Sequence, residues 1–409
     1  MYKEENMTLD IFSRKSENKQ KYDISFLNHE VAQKIYNYHR SFPMYEETPF
    51  RDLKNLSKKL GVKKILIKDE SYRFGLNAFK VLGGSYAIGK VIAEKLGLEI
   101  EDLPYERLVS KEIADKIGQV TFVTATDGNH GRGVAWAANQ LKQKAIVYMP
   151  YGAAQERIDN IEKEGAKVIV TDGNYDDAVR QANKLAEDNG YIMVQDTAWD
   201  GYEDIPRWIM QGYMTLAWEM YTSLEKEEIK PTHVFLQAGV GSFAAAATGF
   251  FANMYKGDDK PVITIVEPET VACIYESAKA AERVIVGGDH KTIMAGLACG
   301  EPNTFGLKVL LDYCEHFISA PDVLAAYGMR VLGNPYKNDD KLISGESGAA
   351  SFGVISKILS DSNLDNYKKQ LGIDENSVLV FVSTEGDTDE KNYLDVVWDG
   401  KYSSLGEGK

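Results

Sequence analysis

Between Val120 and Gln195 the chain alternates, with little slack, between short β-branched or apolar runs and helical stretches. Val120–Thr124, Ala145–Met149, Ala166–Thr171 and Tyr191–Gln195 read as strands. Val134–Ala138 opens a helix, and Gln155–Glu164 and Tyr175–Asn189 read as two more. Strands separated by one helix of chain pair in parallel through helical crossovers, so this alternation restricts the fold to a layered α/β class. The pattern continues on both sides. Ile65–Ile67 reads as a strand, preceded by Leu53, Leu56 and Leu60 at helical spacing and a stop at Gly61. After it come a long helix from Ile205 to Leu224 and strands at His233–Gln237, Val262–Glu267 and Val378–Val382.

The expected architecture is two lobes, each with a mostly parallel sheet flanked by helices. Residues 1–92 and 203–409 make the larger domain and 93–202 a smaller, mobile one. Residues 1–45 read as an arm with one helical piece near Val31–His39. Residues 93–116, charged and irregular, read as an insertion or hinge.

A chain of 409 residues with 44% hydrophobic side chains can bury such cores. Its net charge of -14 argues against nucleic acid or an anionic membrane as partner, since both need basic surface. No apolar run approaches the ~18 residues of a membrane span. The polar stretch from Met1 to Lys21 does not read as a secretory signal, and the expected compartment is the cytoplasm. Three cysteines, Cys273, Cys299 and Cys314, give no disulfide framework, with a Cys273–Cys299 bond as the minority alternative. The histidines show no metal spacing, so no metal is expected.

Four polar, glycine-bearing turns follow strands, where ligands bind in parallel α/β sheets. The first leads to Lys80, between Ala78-Phe79 and Val81-Leu82. Apolar neighbours favour the neutral amine, the form that attacks an aldehyde, although a lysine on an amphipathic helix has the same pattern. The second is Thr126-Asp127-Gly128-Asn129-His130-Gly131, in which Asn129 can donate to a ligand oxygen and Asp127 can act as a base or as a helix cap. The third is Gly239-Val240-Gly241-Ser242, whose backbone N–H groups can close on a phosphate, or simply make a tight turn. In the fourth, Ser383-Thr384-Glu385-Gly386-Asp387, the hydroxyls can bond a ring nitrogen. The loop Gln195-Asp196-Thr197-Ala198-Trp199 adds a carboxylate after another strand.

In this order the motifs resemble the fold type II pyridoxal-phosphate enzymes, the tryptophan synthase β-subunit type. The likeness runs from Thr48 to Asp389. More narrowly, Asp127–Trp136, Gln195–Trp199, Met294–Glu301 and Ser383–Asp389 are similar to the diaminopropionate ammonia-lyases. Ala78 and Leu82 stand where the wider family has Ser and Arg around its lysine, and Asp127 where threonine dehydratases have a small residue. The resemblance implies a homodimeric carbon–nitrogen lyase with pyridoxal 5'-phosphate on Lys80 as a Schiff base. It also implies Phe79, Asn129, Gly239, Val240, Gly241, Ser242, Ser383 and Thr384 around the cofactor. The implied amino acid substrate is 2,3-diaminopropionate, D and L, with α,β-elimination to pyruvate and ammonia as the expected reaction. Lys80, Asp127 and Asp196 are the expected catalytic residues. A serine/threonine dehydratase or racemase of the same fold is the alternative.

Overall fold

The computed structural model describes residues 9–14, 20–126, 128–199, 201–288 and 290–403. The strands, in chain order, are β1 (Asp10–Ser13), β2 (Phe50–Asp52), β3 (Lys64–Asp69), β4 (Thr121–Ala125), β5 (Lys144–Met149), β6 (Lys167–Val170), β7 (Ile192–Met193), β8 (His233–Gln237), β9 (Val262–Pro268), β10 (His316–Ala320) and β11 (Val378–Ser383). They form two sheets, one in each of two compact units.

The larger unit contains the described residues up to Ser25, Thr48–Tyr72, and those from Glu219 onward. Its sheet has the order β1-β10-β9-β8-β11-β3-β2. The five inner strands are parallel, and the edge strands β1 and β2 pair antiparallel. Strands β8 and β11 are buried along their whole length, as expected for parallel strands covered on both faces. Leu379 pairs with His233 and Phe381 with Phe235. The two strands therefore end side by side, and the turns beginning at Ala238 and Thr384 leave from one sheet edge.

The smaller unit contains Phe26–Glu47 and Arg73–Trp218, around an all-parallel sheet of order β6-β5-β4-β7. The boundaries differ from those expected in sequence, because 26–47, 73–92 and 203–218 lie with this unit. The reason is packing. The helix Val81–Leu96 is buried along most of its length and lies between the helices Asn129–Gln140 and Asp204–Gly212. Glycines let the backbones meet. A Cβ on Gly133 would stand 2.8 Å from the backbone of Val81, and one on Gly212 would stand 2.4 Å from the Leu82 carbonyl oxygen.

Two local expectations are corrected. The stretch 93–116 is mostly ordered helix, with Val81–Leu96 running on to Leu96 and short helices at Tyr105–Leu108 and Lys111–Ile117. Leu103, Leu108 and Ile113 anchor it beneath the charges that hid its pattern. The helix expected from Ile205 to Leu224 is two, Asp204–Gly212 and Met214–Lys226, parted at the buried Tyr213.

Candidate active site

In the smaller unit Lys80 immediately precedes the first turn of the helix Val81–Leu96, with helical backbone angles. Phe79 beside it is buried, its ring centroid 4.8 Å from that of Tyr213. Lys80 does not sit in a purely apolar setting. Its Nζ donates to Oδ2 of Asp196 at 3.0 Å, and the lysine side chain is 21% exposed. Apolar residues flank Lys80 in sequence, but the fold brings a carboxylate to it from the end of another strand's connection. That contact favours the ammonium form.

Asp196 follows β7 and is buried. Its position is fixed by its neighbours. The Gln195 backbone N–H donates to the Tyr202 hydroxyl at 2.7 Å, which in turn donates to the Met193 carbonyl at 3.0 Å. The Gln195 side chain accepts from Thr124 Oγ1 and Ala125 N and donates to the Tyr175 hydroxyl. His130 lies on the other side of Asp196, with Nδ1 3.9 Å from Oδ2. Its Nε2 donates to the Val194 carbonyl at 2.8 Å, which leaves Nδ1 as the lone-pair nitrogen of a neutral ring. Nδ1 is buried and has no hydrogen-bond partner among the described residues; the same is true of the Tyr213 hydroxyl.

Burial alone would raise the Asp196 carboxyl, but Lys80 and His130 outweigh it and hold the group at about 2. Burial pushes His130 down. Burial pushes the Tyr213 hydroxyl up.

Asn129 is the first residue of the helix Asn129–Gln140. Thr126 Oγ1 accepts from Gly128 N at 2.9 Å and Gly131 N at 3.1 Å, so Thr126 satisfies amides at the start of this helix. Asp127 lies outside the described residues.

In the larger unit Gly239-Val240-Gly241-Ser242 joins β8 to the helix Ser242–Met254. Gly241 has φ +91°, and a Cβ there would come 2.8 Å from Ile274 Cδ1. A Cβ on Gly239 would come 3.1 Å from Leu297 Cα. Gly241 needs the conformational freedom of glycine and Gly239 sits in a tight contact, so the loop presents bare backbone. No acidic residue occupies the first helical turn, so the positive end of the helix is left for an anion. Asn303, fully buried, braces this loop: its N–H donates to the Val240 carbonyl at 2.8 Å and its Nδ2 to Ser242 Oγ at 3.1 Å.

Ser383 ends β11 and Thr384 follows it; both are buried. The Ser383 hydroxyl donates to Ser344 Oγ at 2.7 Å. Thr384 Oγ1 accepts from Gln237 Nε2 at 2.9 Å, and its hydroxyl hydrogen has no acceptor among the described residues. Buried hydroxyls normally find partners, so this hydrogen marks a place for a ligand acceptor. In the larger unit the bare glycine loop and the unspent hydroxyl are of the kind that hold the phosphate and ring nitrogen of pyridoxal phosphate, and in the smaller unit Lys80 carries the amine that can condense with an aldehyde.

A family model described as "Pyridoxal-phosphate dependent enzyme" matches residues 42–383. The chain belongs to this family. It is 51% identical over 366 residues to the diaminopropionate ammonia-lyase of Escherichia coli K12, spanning 90% of this chain and 91% of that one. The crystal structure of the holo diaminopropionate ammonia lyase from Escherichia coli superposes with a TM-score of 0.92 at 47% identity, covering 98% of this chain and 99% of that one. The same enzyme in complex with an aminoacrylate–PLP azomethine reaction intermediate gives a TM-score of 0.90 at 46% identity, with the same coverage.

Of the family residues expected from sequence, the smaller unit brings Lys80 and Asp196 into contact and packs Phe79 against Tyr213 at a tilt. Gly239, Val240, Gly241, Ser242, Ser383 and Thr384 share one sheet edge in the larger unit. Sequence reasoning gave no role to His130, Tyr213, Thr126, Asn303 or Gln237. His130 stands inside a turn already singled out. Thr126 opens the same turn and acts on its amides, while Tyr213, Asn303 and Gln237 act through tertiary contacts that no local pattern announces.

Proposed function

We propose that this chain catalyses the elimination of ammonia from 2,3-diaminopropionate, with water, to pyruvate and two molecules of ammonia. The observation that carries this reading is the Lys80–Asp196 contact, set within a chain half identical to a diaminopropionate ammonia-lyase. Pyridoxal phosphate, when bound, supplies an electron sink for the charge left at Cα. Lys80 would hold its aldehyde carbon and the Gly239–Ser242 amides its phosphate, with Phe79 and Asn129 as further cofactor-binding residues.

Lys80 and Asp196 together provide the proton chemistry. While Lys80 is an ammonium, Asp196 is ionised and orients it. Once Lys80 is neutral, its pull on the Asp196 carboxyl is lost and that carboxyl moves upward, which suits it to accept a proton. The two enantiomers present their Cα protons to opposite faces. In our reading Asp127 serves one face, and Lys80 or Asp196 the other. A second carboxylate also suits a substrate carrying a second ammonium, which serine and threonine lack. The net charge of -14 accords with a cytoplasmic enzyme free of nucleic acid and membrane, and we take it to act as a homodimer.

The test is steady-state turnover of 2,3-diaminopropionate, serine and threonine by the holoenzyme. We expect kcat/KM for 2,3-diaminopropionate to be highest, with two ammonia released per pyruvate. A higher kcat/KM for serine or threonine would assign the chain to a dehydratase instead.

A further inference from the structure

Gln237 is the last residue of β8, directly before the Ala238–Ser242 turn, and is buried. Its side chain crosses to the end of β11. Nε2 lies 2.9 Å from the Val382 carbonyl, 2.9 Å from Thr384 Oγ1 and 3.4 Å from the Gly348 carbonyl. Oε1 accepts from Ser351 Oγ at 3.0 Å. Two of the three neighbours on the nitrogen side are carbonyls, which only accept, so the orientation of the amide is fixed. An amide nitrogen cannot accept a hydrogen bond. Thr384 must therefore accept in this contact, and its own hydrogen is turned elsewhere.

The two candidate hydroxyls are thereby separated. Ser383 spends its hydrogen inside the protein, on Ser344 Oγ at 2.7 Å with the Glu385 carbonyl at 3.3 Å. Thr384 is 4% exposed and keeps a hydrogen with no protein acceptor among the described residues. Gln237 also links the two turns that leave this sheet edge, so one side chain ties the phosphate loop to the Thr384 hydroxyl.

We propose that Gln237 is a positioning residue that fixes Thr384, and not Ser383, as the hydrogen-bond donor to the pyridine nitrogen of the cofactor. This inference rests on the pyridoxal-phosphate reading above. A donated hydrogen occupies the lone pair of an unprotonated ring nitrogen. A hydroxyl free to rotate would offer it either a hydrogen or an oxygen.

The test uses holoenzyme loaded with pyridoxal phosphate carrying 15N in the ring, and reads the 15N chemical shift. The parent and Ser383→Ala should give the same signal, that of an unprotonated, hydrogen-bonded nitrogen. Thr384→Val and Gln237→Met should both move it downfield, toward free pyridine. A shift in Ser383→Ala with none in Thr384→Val would overturn the assignment of the donor. A parent-like signal in folded Gln237→Met would overturn the role of Gln237. If Gln237→Met does not fold, Gln237→Glu carries the test. Its ionised carboxylate takes the Thr384 hydrogen at alkaline pH, leaves the ring nitrogen without a donor and moves the signal downfield toward free pyridine. A parent-like signal that does not change with pH overturns the proposal. Failure of the underlying reading is separable, because a parent chain that binds no cofactor gives no protein-bound signal.

Discussion

Burial would raise the carboxyl of Asp196, and the groups beside it, Lys80 foremost, pull it the other way, to about 2. A folded-state value below that of the unfolded chain means the contact stabilises the protein above pH ~4 and is lost as pH falls toward 2. In the ligand-free protein the difference from an ordinary aspartate is worth on the order of 2 kcal/mol. Urea unfolding of the parent and Asp196→Asn should show a stability gap that is full at pH 5 and above and narrows below pH 4. A gap independent of pH would mean that Asp196 is not held ionised by Lys80.

Catalysis separates the two carboxylates further. With D- and L-2,3-diaminopropionate assayed separately, Asp127→Asn should lower kcat for one enantiomer by roughly 10²–10⁴-fold, the range for a positioned base. Asp196→Asn should not show the same enantiomer pattern. Equal losses for both enantiomers in both variants would leave the carboxylates as binders of the substrate ammonium only. The importance of Asp196 could not be read from its surroundings in sequence. Gln195-Asp196-Thr197 looks like any polar connector, and only the fold places it against Lys80.

The elements were more legible than their packing. β4, β5 and β8 were readable because parallel strands covered on both faces become unbroken apolar runs. The helices at Tyr105–Leu108 and Lys111–Ile117 were not, because a few buried apolar side chains order them under a charged surface. The break at Tyr213 was hidden too. Beside it Gly212 comes close to the Leu82 carbonyl, a contact between segments far apart in sequence. The same helix packing sets the start of the helix that follows Lys80. Gly133→Ala would push a Cβ to 2.8 Å from the Val81 backbone and 3.1 Å from the Lys80 carbonyl carbon. Neither is the flexible end of a side chain, so the helices must shift. We expect a loss of roughly 1–3 kcal/mol and weaker retention of cofactor on dialysis. Unchanged stability and cofactor retention would show that this crossing tolerates a wider spacing.

At the scale of the molecule, the chain passes from one unit to the other after Ser25, Glu47, Tyr72 and Trp218. β3 lies in the larger sheet, while the helix Val81–Leu96 a few residues later lies with the smaller one. Sequence alternation shows which strands and helices exist, but not which sheet each helix joins, and so the expected boundaries were displaced. The larger unit also hides a fully buried ion pair, Lys68–Glu219 at 2.6 Å, with Lys68 also donating to the Thr48 carbonyl. In sequence Lys68 looks like the polar end of a strand. The four turns after β3, β4, β8 and β11 were recognisable because glycine, hydroxyl and amide residues cluster where a parallel sheet presents its carboxyl edge. The central claim is that Lys80 is the residue these turns serve. Borohydride reduction of the holoenzyme followed by peptide mapping tests it most directly. We predict a single stable pyridoxyl adduct, on Lys80, and its loss in Lys80→Ala. An adduct on any other lysine of the parent protein would contradict the account.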